Sequence, residues 1–325
     1  MVYLRIGIIG LVLGQLLAGI ITFSLLSFAF LRSKPITFNL AGFKNSLKIS
    51  LPLTPRIFFG VIGNHFDKYL IGLLNTIGGV GVFSIAQRIA NITFTFMTAI
   101  QNVFSPEVYK RMFEMGEEGK KSIGQYLTPF LYVSISIAVL ISLFSEEIIS
   151  VLTPVSYHGA IEITIILSML YGIYFFGKQP QLIYMKKTYI TSIMSLVRIG
   201  VNIGINIPFI AKWGVMGAAW GSLLAEIISG SISFTVSQYH YKIEWEYRKI
   251  GSIFLVFFGS AIMMILLMYF GVDYWIRVIV KVLLLSTYLI LGMRLNILTK
   301  QNFILAKSIF FQQQLKINNI SNIKS

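Results

Sequence analysis

The chain has 325 residues, of which 56% are hydrophobic and only 12% charged, with a mean hydropathy of +0.77. Soluble domains carry roughly 25% charged residues, so the composition excludes an ordinary soluble domain and points to an all-α, polytopic transmembrane helix bundle. There is no cysteine, which excludes a disulfide framework, a thiol nucleophile and a Cys metal site. His65, His158 and His240 lack zinc-like spacing. The net charge of +15 would suggest a nucleic-acid partner in a soluble protein. Here the basic residues lie mainly between apolar runs, where they report orientation first.

A helix needs about 20 apolar residues to cross the hydrocarbon core, and on that rule the sequence predicts about nine spans. The first, Ile6–Leu31, is free of charge and too long for a cleavable signal's apolar core. The second, Ile49–Phe66, is broken by Pro52 and Pro55 and ends at Asp67-Lys68, read as an interfacial end. The third is Gly79–Phe104, followed by a charged loop from Glu107 to Lys121. The fourth, Ile123–Phe144, precedes a short acidic segment at Glu146-Glu147. The fifth is Ala160–Gly177 and the sixth Tyr189–Ile210. The seventh, Val215–Gln238, leads into a charged loop to Lys249. The eighth, Gly251–Val272, is apolar nearly all round and is expected at the periphery. The ninth is Trp275–Met293, with Arg277 and Lys281 read as interface anchors. The tail from Arg294 is basic and rich in Asn and Gln, a composition for the membrane surface or for disorder.

Alternate loops hold most of the lysines and arginines. The rich set follows spans one, three, five and seven and includes the tail. The positive-inside rule places that set, and the C-terminus, in the cytoplasm. Met1 then falls outside, which suggests that spans are missing before it.

Several spans carry polar residues at alternating steps of four and three, the spacing of one helix face. Span two has Arg56, Gly60, Gly63 and Asp67. Span three has Ser84, Arg88, Asn91, Thr95, Thr98 and Asn102. Span six has Thr191, Ser195, Arg198, Asn202 and Asn206, and span seven has Ser222, Glu226, Ser229 and Ser233. Single Ser and Thr residues in such seams often do no more than join helices, at about 0.6 kcal/mol per hydrogen bond. The charges are different. Arg88 lies about ten residues, or about 15 Å, into its span, and Arg198 lies at a similar depth. Intramembrane charges of this kind mark functional cavities by default. Arg56 is shallower, and snorkelling to the cytoplasm is an equal reading. Glu226 has two readings, a structural partner of Arg198 or a proton or cation site. Together these groups predict a cavity of net positive charge that receives an anion such as phosphate or pyrophosphate. No phosphate-cradling loop or ATPase motif accompanies it.

Four segments resemble the oligosaccharide flippases, the polysaccharide transporter family of the multidrug/oligosaccharidyl-lipid/polysaccharide exporter superfamily. They are Asp67–Gly72, Val80–Ile89, Val201–Asn206 and Gly214–Ala219, with Glu146–Thr153 as a weaker fifth. The resemblance implies a fold of about fourteen helices in two lobes plus two extra helices, of which this chain lacks about the first five. The implied organisation is the last helix of an N-terminal lobe with a cytoplasmic linker (1–48), a six-helix C-terminal lobe (49–239), two additional helices (240–293) and a basic tail (294–325). The implied activity is flipping of an undecaprenyl-pyrophosphate-linked oligosaccharide across the bacterial cytoplasmic membrane by alternating access. It would serve surface polysaccharide biosynthesis, O-antigen or capsule, beside polymerase and chain-length machinery. On that reading Arg56, Arg88 and Arg198 meet pyrophosphate or acidic sugars, Asn91 and Asn202 meet sugar hydroxyls, and Glu226 couples an ion. No catalytic residue, cofactor or metal is expected. A drug or cation exporter of the same superfamily would need an acidic cavity. A membrane-embedded polymerase or acyltransferase would need a large extramembrane loop or an interfacial cluster of His, Asp or Arg.

Overall fold

The computed structural model describes residues 7–33, 39–51, 54–177, 180–185 and 187–297, and contains no strand among them. The chain divides into two compact units, Met1–Pro52 and Leu53–Ser325.

The first unit holds α1 (Gly7–Ser33) and α2 (Leu40–Ser50). Leu16, Ile20, Phe23 and Phe28 of α1 are all exposed, and no part of its spanning window is buried. That is the surface expected of a helix solvated by lipid. Asn39 starts α2 by accepting the N–H groups of Ala41 and Gly42 at 2.9 and 3.3 Å, a side-chain N-cap.

The second unit runs α3 (Thr54–Leu74), α4 (Ile77–Glu114), α5 (Gly116–Leu143), α6 (Ser145–Leu152), α7 (Ala160–Ile173), α8 (Pro180–Tyr184), α9 (Thr188–His240), α10 (Tyr247–Tyr269) and α11 (Tyr274–Arg294). Among the described residues of the whole chain, seven helices are long and apolar enough to cross a membrane. The expectation of about nine spans differs from this at α9 and α3. The 53 residues of α9 would reach about 80 Å as one rod, but Gly214 breaks them at φ 56°, ψ −133°. A left-handed φ of this kind favours glycine. The limbs on either side of Gly214 fold back on each other. Asn206 bonds Ser222, and Arg198 pairs with Glu226 farther from the turn. A side chain at Gly221 would meet the Phe209 Cβ at 3.2 Å, so the hairpin needs small residues where its limbs meet. α3 is 21 residues long, but Asn64, His65, Asp67 and Lys68 lower its hydropathy. It also runs past Asp67-Lys68 to Leu74, because Asp67 is satisfied within the bundle rather than at an interface.

α7 is central. Its residues from Ile163 to Gly172 are all buried, and α4, α5, α9 and α10 pack around it. A helix that is apolar on every side has to be enclosed. α7 stops at Ile173 and gives way to a 3-10 turn, Tyr174–Gly177. Gln101 of α4 donates through Nε2 to the Phe175 carbonyl at 3.3 Å, replacing a helical bond lost at the break.

The charged segment from Glu107 is not a loop. α4 continues to Glu114 through Pro106, and α5 begins at Gly116, whose φ is +53°. Arg111 holds this elbow. Its Nε reaches Glu107 at 2.8 Å, its Nη1 donates to Ser122 Oγ at 2.7 Å, and its guanidinium lies 4.3 Å from the Tyr126 ring centre.

α10 buries one face, from Ile250 through Phe257 to Met264, and exposes Leu255, Ile262 and Leu266, in keeping with a peripheral place. α11 is bound to α5 by a reciprocal pair. The Tyr132 hydroxyl donates to the Tyr288 carbonyl at 3.0 Å and the Tyr288 hydroxyl to the Tyr132 carbonyl at 2.7 Å, with the rings stacked at 4.7 Å. The interface-anchor reading of Lys281 is wrong. Its side chain is fully buried and pairs with Glu146 at 3.0 Å and Glu147 at 2.6 Å, while Arg277 pairs with Glu146 at 2.7 Å. The short acidic helix α6 draws both cations inward. The tail beyond residue 297 lies outside the described residues.

Candidate functional site

Three elements of the second unit bring polar side chains to one place. The two limbs of α9 carry Arg198, Asn202 and Asn206 on one and Ser222, Glu226 and Ser229 on the other. α3 packs along α9 and adds Asp67. Its carboxylate accepts from Asn206 Nδ2 at 3.2 Å and from Ser222 Oγ at 3.1 Å, so one buried acid joins α3 to both limbs. Removing such a charge from water is costly unless hydrogen bonds replace the hydration, and two donors do so here.

The faces of α3, α4, α7 and α9 line an open cavity of 590 Å³. Arg88 and Asn91 line it from α4, Arg198, Asn202 and Glu226 from α9, and Asp67 from α3. A second cavity of 310 Å³ shares Gln101, Ser195, Arg198, Glu226 and Ser229 with the first and extends toward Ser105, Thr191 and Ser233. Five of the six predicted site residues therefore border one space. The sixth, Arg56, lies in α3, and its side chain is outside the described residues. The α4 seam is only partly right. Arg88 and Asn91 reach the cavity with Gln87, Phe94 and Gln101, whereas Ser84, Thr95, Thr98 and Asn102 are not in its lining. The Thr95 hydroxyl bonds back to the Asn91 carbonyl at 3.0 Å, a common way for a helix to absorb a threonine.

Arg198 sits where the two cavities join. Its Nε lies 2.8 Å from Glu226 Oε2, and its guanidinium lies 4.3 Å from the centre of the Tyr174 ring. Tyr174 begins the 3-10 turn after α7 and forms an aromatic group with Tyr171 and Phe94, with ring centres 5.5–5.9 Å apart. Among the described residues Arg88 forms no ion pair or hydrogen bond. Lys68, on α3, lies within electrostatic reach of it.

The expected excess of positive charge is reduced. Asp67 shares the four-three spacing of Gly60 and Gly63, but its neighbour Lys68 gives the pair the look of a helix end at the interface, and its place in the cavity wall is visible only in the fold. The described charges on the cavity wall now comprise Arg88 and Arg198 against Asp67 and Glu226. Both carboxylates are engaged within the protein, and Arg88 remains available.

Residues 1–162 match the model of a polysaccharide biosynthesis protein family. Just under half of the chain is therefore similar to that family. It is 24% identical over 204 residues to the probable low-salt glycan biosynthesis flippase Agl15 of Haloferax volcanii. That alignment covers 58% of this chain and 42% of the relative, so the match spans less than half of the relative's length. No solved structure matches. The family and the relative point to a transporter rather than an enzyme, and the spanning helices make the chain a multi-pass membrane protein.

Proposed function

We propose that this chain takes part in flipping a lipid-pyrophosphate-linked oligosaccharide from the cytoplasmic to the outer leaflet of the cytoplasmic membrane, for surface polysaccharide biosynthesis. The observation that carries this reading is the polar cavity between α3, α4, α7 and α9, with Arg88 available on its wall. A guanidinium in a low-dielectric site binds phosphate oxygens through paired N–H groups. Arg88 and Arg198 meet the pyrophosphate or acidic sugars, and Asn91 and Asn202 meet sugar hydroxyls. Arg56 belongs to the same α3 face by spacing. Glu226 is the ion-coupling group. Undecaprenyl pyrophosphate is the expected lipid carrier, and the polymerase and chain-length machinery are the expected partners. The cation-exporter reading is weaker, because Asp67 and Glu226 already have donors within the protein. In cells, Arg88→Ala and Arg198→Ala each abolish surface polysaccharide while the protein stays at its normal level in the membrane. Normal polysaccharide from both variants refutes the cavity's role.

A further inference from the structure

Arg198 and Glu226 face the cavity unequally. The arginine side chain is 44% exposed, whereas the glutamate is only 6% exposed. The contact uses Nε of the guanidinium. A guanidinium carries five N–H donors, so Arg198 can engage an entering anion while it is still close to Glu226. The Tyr174 ring, 4.3 Å from the guanidinium carbon, supports the cation from a second side.

Glu226 has no second cation in reserve among the described residues. The charged and titratable groups around it are Arg198 on its partner limb, Tyr171 from α7, Tyr174 from the turn after it, Asp67 and His65 from α3, and Arg88 and Tyr109 from α4. Asp67 is an acid already held by Asn206 and Ser222. Arg88 lines only the larger cavity, whereas Glu226 lies where the two cavities meet. A buried carboxylate that loses its cation is strongly disfavoured as an anion and becomes neutral instead.

We infer that Arg198 exchanges partners during transport: an anionic group of the substrate takes the guanidinium from Glu226, and the released carboxylate takes up one proton from cavity water. The inference rests on the anion-carrying reading of the cavity. Charge balances at each stage. Before exchange the site holds one guanidinium and one carboxylate. Afterwards it holds the guanidinium, one substrate negative charge and a neutral carboxylic acid, with the proton on a Glu226 oxygen. Each such exchange is therefore electroneutral at the site, and binding tightens as pH falls. When the substrate leaves, Glu226 regains Arg198 and gives up the proton.

The test uses the full chain in lipid nanodiscs with farnesyl-pyrophosphoryl-N-acetylglucosamine, whose diester phosphates do not titrate near neutral pH. Calorimetry in buffers of different ionisation enthalpy counts protons taken up on binding. Wild type is expected to take up about one proton per probe, with Kd weakening about tenfold per pH unit as pH rises over the linked range. Glu226→Gln is expected to bind with no proton uptake and a flat pH profile. Binding by wild type without proton uptake overturns the exchange and leaves the substrate reading standing. An unchanged pH slope in Glu226→Gln also overturns it. No binding of the probe refutes the substrate reading and the exchange together. Where Glu226→Gln does not fold, the wild-type proton count decides alone.

Discussion

Lys281→Met tests whether charges clamp the last helix, α11, to α6. The lysine is fully buried, with its Nζ 3.0 Å from Glu146 and 2.6 Å from Glu147. Methionine keeps the apolar length and deletes the charge, leaving two carboxylates without that partner. Removing one member of a buried ion pair costs about 3–5 kcal/mol. The lower end applies here. Glu146 keeps Arg277 at 2.7 Å, and Glu147 keeps the Tyr274 hydroxyl at 3.3 Å. A loss of about 3 kcal/mol, at about 2–4 °C per kcal/mol, lowers Tm by about 6–12 °C. The double variant Lys281→Met/Glu147→Gln regains most of this, because replacing both members of a buried pair is often near neutral. Thermal unfolding in detergent, followed by size-exclusion of the remaining native protein, reads both. A Lys281→Met midpoint equal to wild type refutes the clamp, and so does a double variant no more stable than the single.

Asp67→Ala removes the acceptor shared by Asn206 and Ser222. Leaving buried donors unpaired costs about 1–3 kcal/mol. The same unfolding assay should show this loss, and Asp67→Asn, which keeps one acceptor oxygen, should lose less. An unchanged Asp67→Ala shows that the acid does not join α3 to α9. For orientation, the absence of cysteine allows clean single-site labelling. A cysteine at Ser156 should react with an impermeant maleimide in intact cells, and one at Lys242 should react only after lysis. The reverse pattern inverts the proposed topology.

Most of the helices and the polar faces of the two limbs of α9 were legible in the sequence because each depends on local spacing. A helix repeats every 3.6 residues, so Thr191, Ser195, Arg198 and Asn202 declare a face without knowledge of any neighbour. What lay opposite that face was not legible. The pairing of Arg198 with Glu226 depends on the hairpin at Gly214, whose positive φ reverses the chain. A glycine between two apolar runs suggests a turn but does not set the register of the limbs. Lys281 was harder still, since its partners lie more than 130 residues away, on α6. A lysine seven residues inside a span that starts near an aromatic pair looks like a snorkelling anchor. Only the α6 carboxylates turn it inward.

The same limit explains the error in the cavity's charge. Adding the charges of a face treats each as equally available to a ligand, but a buried charge with an internal partner presents little net field beyond it. Glu226 cancels Arg198 at rest, whereas the neutral donors Asn206 and Ser222 hold Asp67 without cancelling its charge. The attraction for an anion in the resting cavity therefore falls to Arg88, with Lys68 in electrostatic reach. Arg198 contributes only after it leaves Glu226. Arg88 and Arg198 should then differ in kind. Loss of Arg88 weakens capture at every pH, whereas loss of Arg198 removes the step that links binding to a proton.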